Sequence, residues 1–224
     1  MVDSVHIIGA GRAGSAIAAR LRERGARVSV GRGPSPDADL VLLCVPDTAI
    51  AEVAASVRLG PWVAHVSGAT PLAELAPHER RFSLHPLQTL VQGRGPEQLD
   101  GAWAAITAET PDAWAQARDL ADRLGLRAFE LADADRAIYH AAAVIGGNYL
   151  VTLHRIATRL LEAARVPPEA IVPLMERTIE NGFELTGPLA RGDRATIEAH
   201  LAALEERAPD LVPVYTALAE VTKP

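Results

Sequence analysis

Glycine recurs at the G-x-G-x-x-G spacing in Gly9-Ala10-Gly11-Arg12-Ala13-Gly14. Between a strand and a helix, such a string makes a tight turn, lets backbone approach a pyrophosphate, and packs helix closely on strand. Free N–H groups at the helix start then receive the phosphates. Gly9, Ala10, Gly11, Arg12, Ala13 and Gly14 are therefore candidate contacts for a dinucleotide. About twenty residues further on, an NAD site places an acid at the end of the second strand. Here the chain reads Ser29-Val30-Gly31-Arg32-Gly33. An arginine there can pair with a 2′-phosphate, which favours NADP(H) over NAD(H); the other reading of Arg32 is a solvated loop charge.

Histidine titrates nearest neutrality and is the natural proton donor in such a chain. Of seven histidines, His65 and His85 fall at or near the carboxyl ends of strands, where open α/β sheets bind ligands. His140 lies on a long helix. At 100° per residue, Arg136, His140, Gly147 and His154 fall within about 40° of one another, with Asn148 flanking that face. Tyr139 points toward the opposite, apolar stripe and reads as core. His6 reads as structural, and His78 and His200 as solvated. Ser67-Gly68 follows a strand, and either donates hydrogen bonds to a carboxylate or carries only a turn. In Thr186-Gly187-Pro188 and Arg191-Gly192-Asp193, a turn and a helix start account for four of six residues. Thr186 and Arg191 are left over. Arg191 suits a substrate carboxylate, or pairs with a structural acid.

The elements that must position these groups alternate between short apolar runs and helical patterns over the first 130 residues. Ser4 to Ile8 reads as a strand, Arg12 to Arg24 as a helix, Arg27 to Val30 as the second strand. Leu40 to Val45 is a continuous apolar run, as in a strand covered on both faces. Trp62 to Val66, Arg81 to Leu84, Ala102 to Thr107 and Ala128 to Leu131 read as further strands, with a helix over Pro111 to Leu124. This alternation implies an α/β fold with a doubly wound parallel sheet. Only about nine residues separate the second strand from the third, too few for the usual crossover helix, so the adenine side of the site is expected to be shallow. Past Asp133 the pattern is helical, with the stripe Ile138, Ala142, Ile145, Tyr149, Ile156, Leu160. Pro167-Pro168 opens a helix toward Asn181, Asp193 caps one reaching Arg207, and Pro209 opens the last. The expected domains are 1–133 and 134–224.

The chain has 224 residues, 49% of them hydrophobic, and a formal net charge of −6. No apolar run approaches the roughly 20 residues of a membrane span, and a strand-like segment follows Met1 too soon for a signal peptide. The single cysteine, Cys44, excludes a disulfide framework and a cysteine-rich zinc site; no metal is expected. An acidic chain without a basic run is not built for nucleic acid. A cytoplasmic globular protein is the expectation. Lysine occurs once, at Lys223.

The strand ending in Val45-Pro46-Asp47 resembles the nucleotide domains of pyrroline-5-carboxylate reductases and β-hydroxyacid dehydrogenases. Four further strings resemble the Rossmann-like plus DUF2520 family of proposed NADP-dependent oxidoreductases, over essentially the whole chain. They are His65-Val66-Ser67-Gly68-Ala69, His85-Pro86-Leu87-Gln88, Tyr139-His140-Ala141-Ala142 with Asn148, and Leu185 to Asp193. The resemblance implies a Rossmann domain followed by a small all-α domain like the C-terminal domain of 6-phosphogluconate dehydrogenase. It also implies a homodimer formed through the helices, and members are linked to ketopantoate reduction. The β-hydroxyacid dehydrogenases use a helical-domain lysine as general acid. Lys223 is too near the terminus for that, and the guanidinium of Arg136 does not give up a proton.

The expected function is therefore NADP(H)-dependent reduction of a small anionic carbonyl compound, a 2-oxo acid such as ketopantoate. His140 or His85 donates the proton, Asn148 orients the carbonyl, and Ser67, Gly68, His85, Thr186 and Arg191 meet the substrate. Val45, Pro46 and Ser67 join the glycine loop and Arg32 at the cofactor. Two alternatives stay open: an imine reductase of the pyrroline-carboxylate type, which needs no strong acid, and a non-catalytic NADP(H)-binding sensor.

Overall fold

The computed structural model describes residues 2–33 and 38–222. Lys223 lies outside the described residues. Seven strands form one sheet: β1 (Ser4–Ile8), β2 (Arg27–Gly31), β3 (Leu40–Leu43), β4 (Trp62–His65), β5 (Arg81–Leu87), β6 (Trp103–Ala108) and β7 (Arg127–Glu130). Their order is β2-β1-β3-β4-β5-β6-β7. Helices α1 (Arg12–Glu23), α2 (Ile50–Ser56) and α3 (Pro111–Leu124) complete this part.

Strand alternation sends side chains to two cores. Ile7, Leu40, Leu42, Ala64, Phe82, Leu84, Ala104 and Ile106 pack under α1 and α3. Ile8, Val41, Leu43 and Val63 pack under α2 and the turn Leu72–Leu75. On that second face a polar row extends the sheet: His65 pairs in register with Leu43 and with Ser83, and Ser83 with Thr107. All three polar residues are buried.

The expected parallel sheet is corrected at one place: β5 and β6 run antiparallel. Residues 88–102 carry only a short 3-10 turn at Pro96–Leu99, and without a crossover helix the chain returns beside the strand it left. His78, expected to be solvated, is buried, with Nε2 donating to the Ala54 carbonyl at 2.9 Å.

The chain divides into compact units of residues 1–145 and 146–224, not at 133. Helix α4 (Arg136–Val144) belongs to the first unit because its Arg136 bonds back to Ser67 and Ser83. A π-helical turn, Ile145–Tyr149, precedes α5 (Leu150–Ala163). A π turn adds about one residue to the helical count, so the face drawn at 100° per residue through Arg136 and His140 does not continue to Gly147 and His154. Helices α6 (Ile171–Glu180), α7 (Gly187–Arg191), α8 (Arg194–Arg207) and α9 (Val212–Val221) follow. Asp193 caps α8, accepting from the Thr196 amide at 3.1 Å. The apolar stripe is corrected too. Ile138, Ile145 and Tyr149 are 72%, 61% and 56% exposed, and only Ile156 and Leu160 pack against the small core of Leu204, Ala208 and Leu211. No helix among the described residues is long and apolar enough to cross a membrane.

Candidate functional site

The chain leaves β1 for β2 on one side and reaches β3 on the other. Strand order reverses there, and the carboxyl ends of β1 and β3 flank a crevice that suits a ligand. The glycine loop occupies this rim. Gly9 has φ +112°, and a Cβ there would overlap the Cys44 carbonyl; a Cβ on Gly14 would overlap the Gly9 carbonyl. Gly11 faces open space and begins α1 without a side-chain cap. Closed at both ends and open in the middle, with unbonded amides at a 12-residue helix start, the loop fits a diphosphate. Ala10, Gly11 and Arg12 are exposed and Ala13 is half-buried. Val45 and Pro46 follow β3 on the same rim, half-buried and exposed. Arg32 is exposed directly after β2. Burial pushes the Cys44 thiol up to about 12, so no thiolate is present beneath the loop.

A second cluster gathers where β4 and β5 meet α4. His85 Nδ1 lies 2.7 Å from the Tyr139 hydroxyl. The His85 and His140 rings stand 6.2 Å apart, nearly perpendicular. Gly68 sits between them: a Cβ there would come 2.9 Å from His140 Cδ2 and 3.0 Å from His85 Nε2. Its loop is held from below. Ser67 donates its amide to His65 Nδ1 at 3.2 Å, and its hydroxyl accepts from the Ala69 and Thr70 amides. The buried Arg136 guanidinium donates to the Ser67 carbonyl at 3.1 Å, to the Ser83 hydroxyl, and to Asp133 at 2.7 Å. Asp133 in turn accepts from the Leu72 amide at 3.0 Å.

This environment determines protonation. Burial, then the neighbouring charges of His140 and Arg136, hold His85 down to about 4. Burial and Arg136 hold His65 down to about 3. Both rings are neutral near pH 7. His65 accepts at Nδ1, so its proton sits on Nε2, which is buried without a partner. Burial raises Tyr139 to about 12, so its hydroxyl stays protonated.

Acid should therefore unfold the first unit readily. An unfolded histidine titrates near 6.5 and takes up its proton first, so stability is complete above that pH and is lost as pH falls toward 3. The slope reaches about 1.4 kcal/mol per pH unit for each histidine. Urea midpoints at neutral pH and near pH 4.5 measure it; equal midpoints would contradict the buried neutral rings.

The first unit thus unites Ser67, Gly68, His65, His85 and His140, and adds two residues to which sequence reasoning gave no site role: Tyr139 and Arg136. Tyr139, read as core, is corrected, since its hydroxyl bonds His85 across 54 positions. Asn148, Thr186 and Arg191 belong to the second unit. Asn148 is exposed within the π turn, its carbonyl accepting from the Thr152 hydroxyl at 3.3 Å. Thr186 precedes α7 without capping it. Arg191 is exposed at the end of α7, and its charge helps lower Asp193, chiefly stabilised by Thr196.

A mostly parallel sheet with a glycine loop at its switch point, followed by helices, defines a Rossmann-type fold. Residues 102–222 match Domain of unknown function DUF2520, and the chain belongs to that family. A Bacteroides fragilis protein proposed to be an NADP oxidoreductase superposes with a TM-score of 0.82 at 23% identity, over 98% of this chain and 97% of that one. A reductive aminase from Aspergillus terreus, solved with NADPH4, cyclohexanone and allyl amine, gives 0.67 at 17%, over 98% and 93%. The 1-pyrroline-5-carboxylate reductase of Streptococcus pyogenes gives 0.64 at 15%, over 97% and 95%. These likenesses show the fold. No curated protein matches the sequence.

Proposed function

We propose that this protein is an NADP(H)-dependent oxidoreductase that reduces a small anionic carbonyl compound, a 2-oxo acid such as ketopantoate, in the cytoplasm. The glycine loop carries the reading, because Gly9 and Gly14 leave no room for side chains while Gly11 faces open space. NADPH, when bound, supplies the hydride. Arg32 receives its 2′-phosphate, and the start of α1 its diphosphate. Val45, Pro46 and Ser67 complete the rim.

His140 holds the proton that the new alkoxide takes. His85, neutral and bonded to Tyr139, lines the same cleft, because a pair of neighbouring imidazoles carries a second proton only at a cost. Ser67 and Gly68 face the substrate. One observation favours an imine instead. Lysine is absent from the described residues, and a protonated imine accepts hydride without a strong acid. The chemistry named for the pyrroline-carboxylate reductase and the reductive aminase fits that alternative. The sensor alternative predicts NADPH binding without turnover on any carbonyl or imine.

Thermal melts test the cofactor. NADPH at about 100 times its Kd should add roughly 2.7 kcal/mol, several degrees of midpoint for a chain of this size. A shift with NADPH and none with NADH supports the reading; no shift with either reduces the glycine loop to a turn and ends it.

The proposal extends to a homodimer through the helices. Helices α5, α6 and α9 bury no residue, while Leu174 and Phe183 are 62% and 71% exposed. Contiguous apolar surface of this kind marks an interface. Light scattering on the eluting protein should give twice the 23.7 kDa chain mass; a monomer at micromolar concentration would refute it.

A further inference from the structure

Strand order carries the chain from β2 across β1 to β3, with too few residues between for a crossover helix. His6 sits in β1 opposite Ser29, is 5% exposed, and its Nε2 is 2.7 Å from the Gly33 carbonyl. A carbonyl only accepts, so Nε2 donates, and Nδ1 lies 2.7 Å from the Ser29 hydroxyl. The ring also fills space at the end of β2. A Cβ on Gly31 would lie 3.2 Å from His6 Cε1, tight enough to disfavour a side chain where NAD sites carry their acid. Gly31 in turn accepts from the Gly9 amide at 3.2 Å, which ties this corner to the glycine loop. Arg32 stands between the two glycines that His6 touches.

We propose that His6 is a positioning residue for nucleotide selectivity. It clamps the turn after β2 through Gly33, holds Arg32 where a 2′-phosphate arrives, and keeps an acid out of position 31. The proposal rests on the NADP(H) reading above. A strand histidine thereby organises the adenosine end.

Nucleotide fluorescence titrations of the full chain with NADPH and with NADH test it without turnover. Wild type should prefer NADPH. His6→Val removes the donor while keeping a strand-forming side chain, and should lower the NADPH-to-NADH preference about tenfold, through NADPH alone. His6→Gln places an amide donor near Nε2 and should restore most of it. Arg32→Ala should give a comparable loss, and combining it with His6→Val should add little, because both act through one contact. Gly31→Asp should strengthen NADH binding only in the His6→Val background.

A folded His6→Val protein whose preference stays within about twofold of wild type overturns the clamp. If that variant does not fold, Ser29→Ala decides, because freeing Nδ1 should lower the preference about threefold, and an unchanged preference overturns the proposal. Wild type binding both nucleotides equally also overturns it, whereas wild type binding neither overturns the oxidoreductase reading itself.

Discussion

His140→Ala should lower kcat for carbonyl reduction by about 10²–10⁴-fold, the usual contribution of a positioned general acid, while leaving NADPH affinity within about twofold. The separation is expected because His140 meets Gly68 and His85, remote in the chain from the glycine loop. His85 is the weaker candidate for the donor, since burial and the charge of His140 keep it deprotonated at neutral pH. Single-turnover rates with NADPH and a 2-oxo acid measure the first quantity, and fluorescence titration the second. Equal loss of turnover and NADPH affinity would remove His140 from the proton-donor role. An unchanged rate on an imine beside a collapsed rate on a 2-oxo acid would favour the imine reading.

Arg136→Leu should destabilise the first unit by about 3 kcal/mol, because it leaves the Ser67 carbonyl and the buried Ser83 hydroxyl short of a partner and removes the ion pair to the more exposed Asp133. That lowers the melting midpoint by roughly 6–12 °C for a chain of this size. The guanidinium is 3% exposed and joins β5, the Gly68 loop and the turn before α4, so one side chain ties the three together. A loss below about 1 kcal/mol would show that solvent or a rotated neighbour replaces those bonds.

The legible and illegible features of this chain differ in how local their causes are. The roles of Gly9, Gly11 and Gly14 follow from a loop six residues long, so spacing was enough. Leu40 to Leu43 announced a covered strand because every side chain in the run is apolar. The direction of β6 is not a property of its own residues; the missing helix in 88–102 was the available signal. Tyr139 was placed by helical period, which cannot see that a hydroxyl meets a histidine 54 positions earlier. His78 looked solvated among charges, yet the Ala54 carbonyl receives it. The Ile138 stripe was recognised correctly as apolar, but period alone does not say what covers it. The break between units was set too early because Asp133 and Arg136 look helical in sequence and bond backward in space.

The unequal cores divide the molecule by lifetime as well as by residue. The sheet centre, with Val41, Leu42, Leu43, Val63 and Ala64 fully enclosed, gives up its amide protons only when the whole unit unfolds. Residues 146–222 enclose just Leu204, Ala208 and Leu211 among the described apolar side chains. Their helices open on their own, at a much smaller free energy. Hydrogen exchange in dilute protein would find a slow sheet-containing unit joined to a fast helical one. Covering α5 and α6 is what would bring the two rates together.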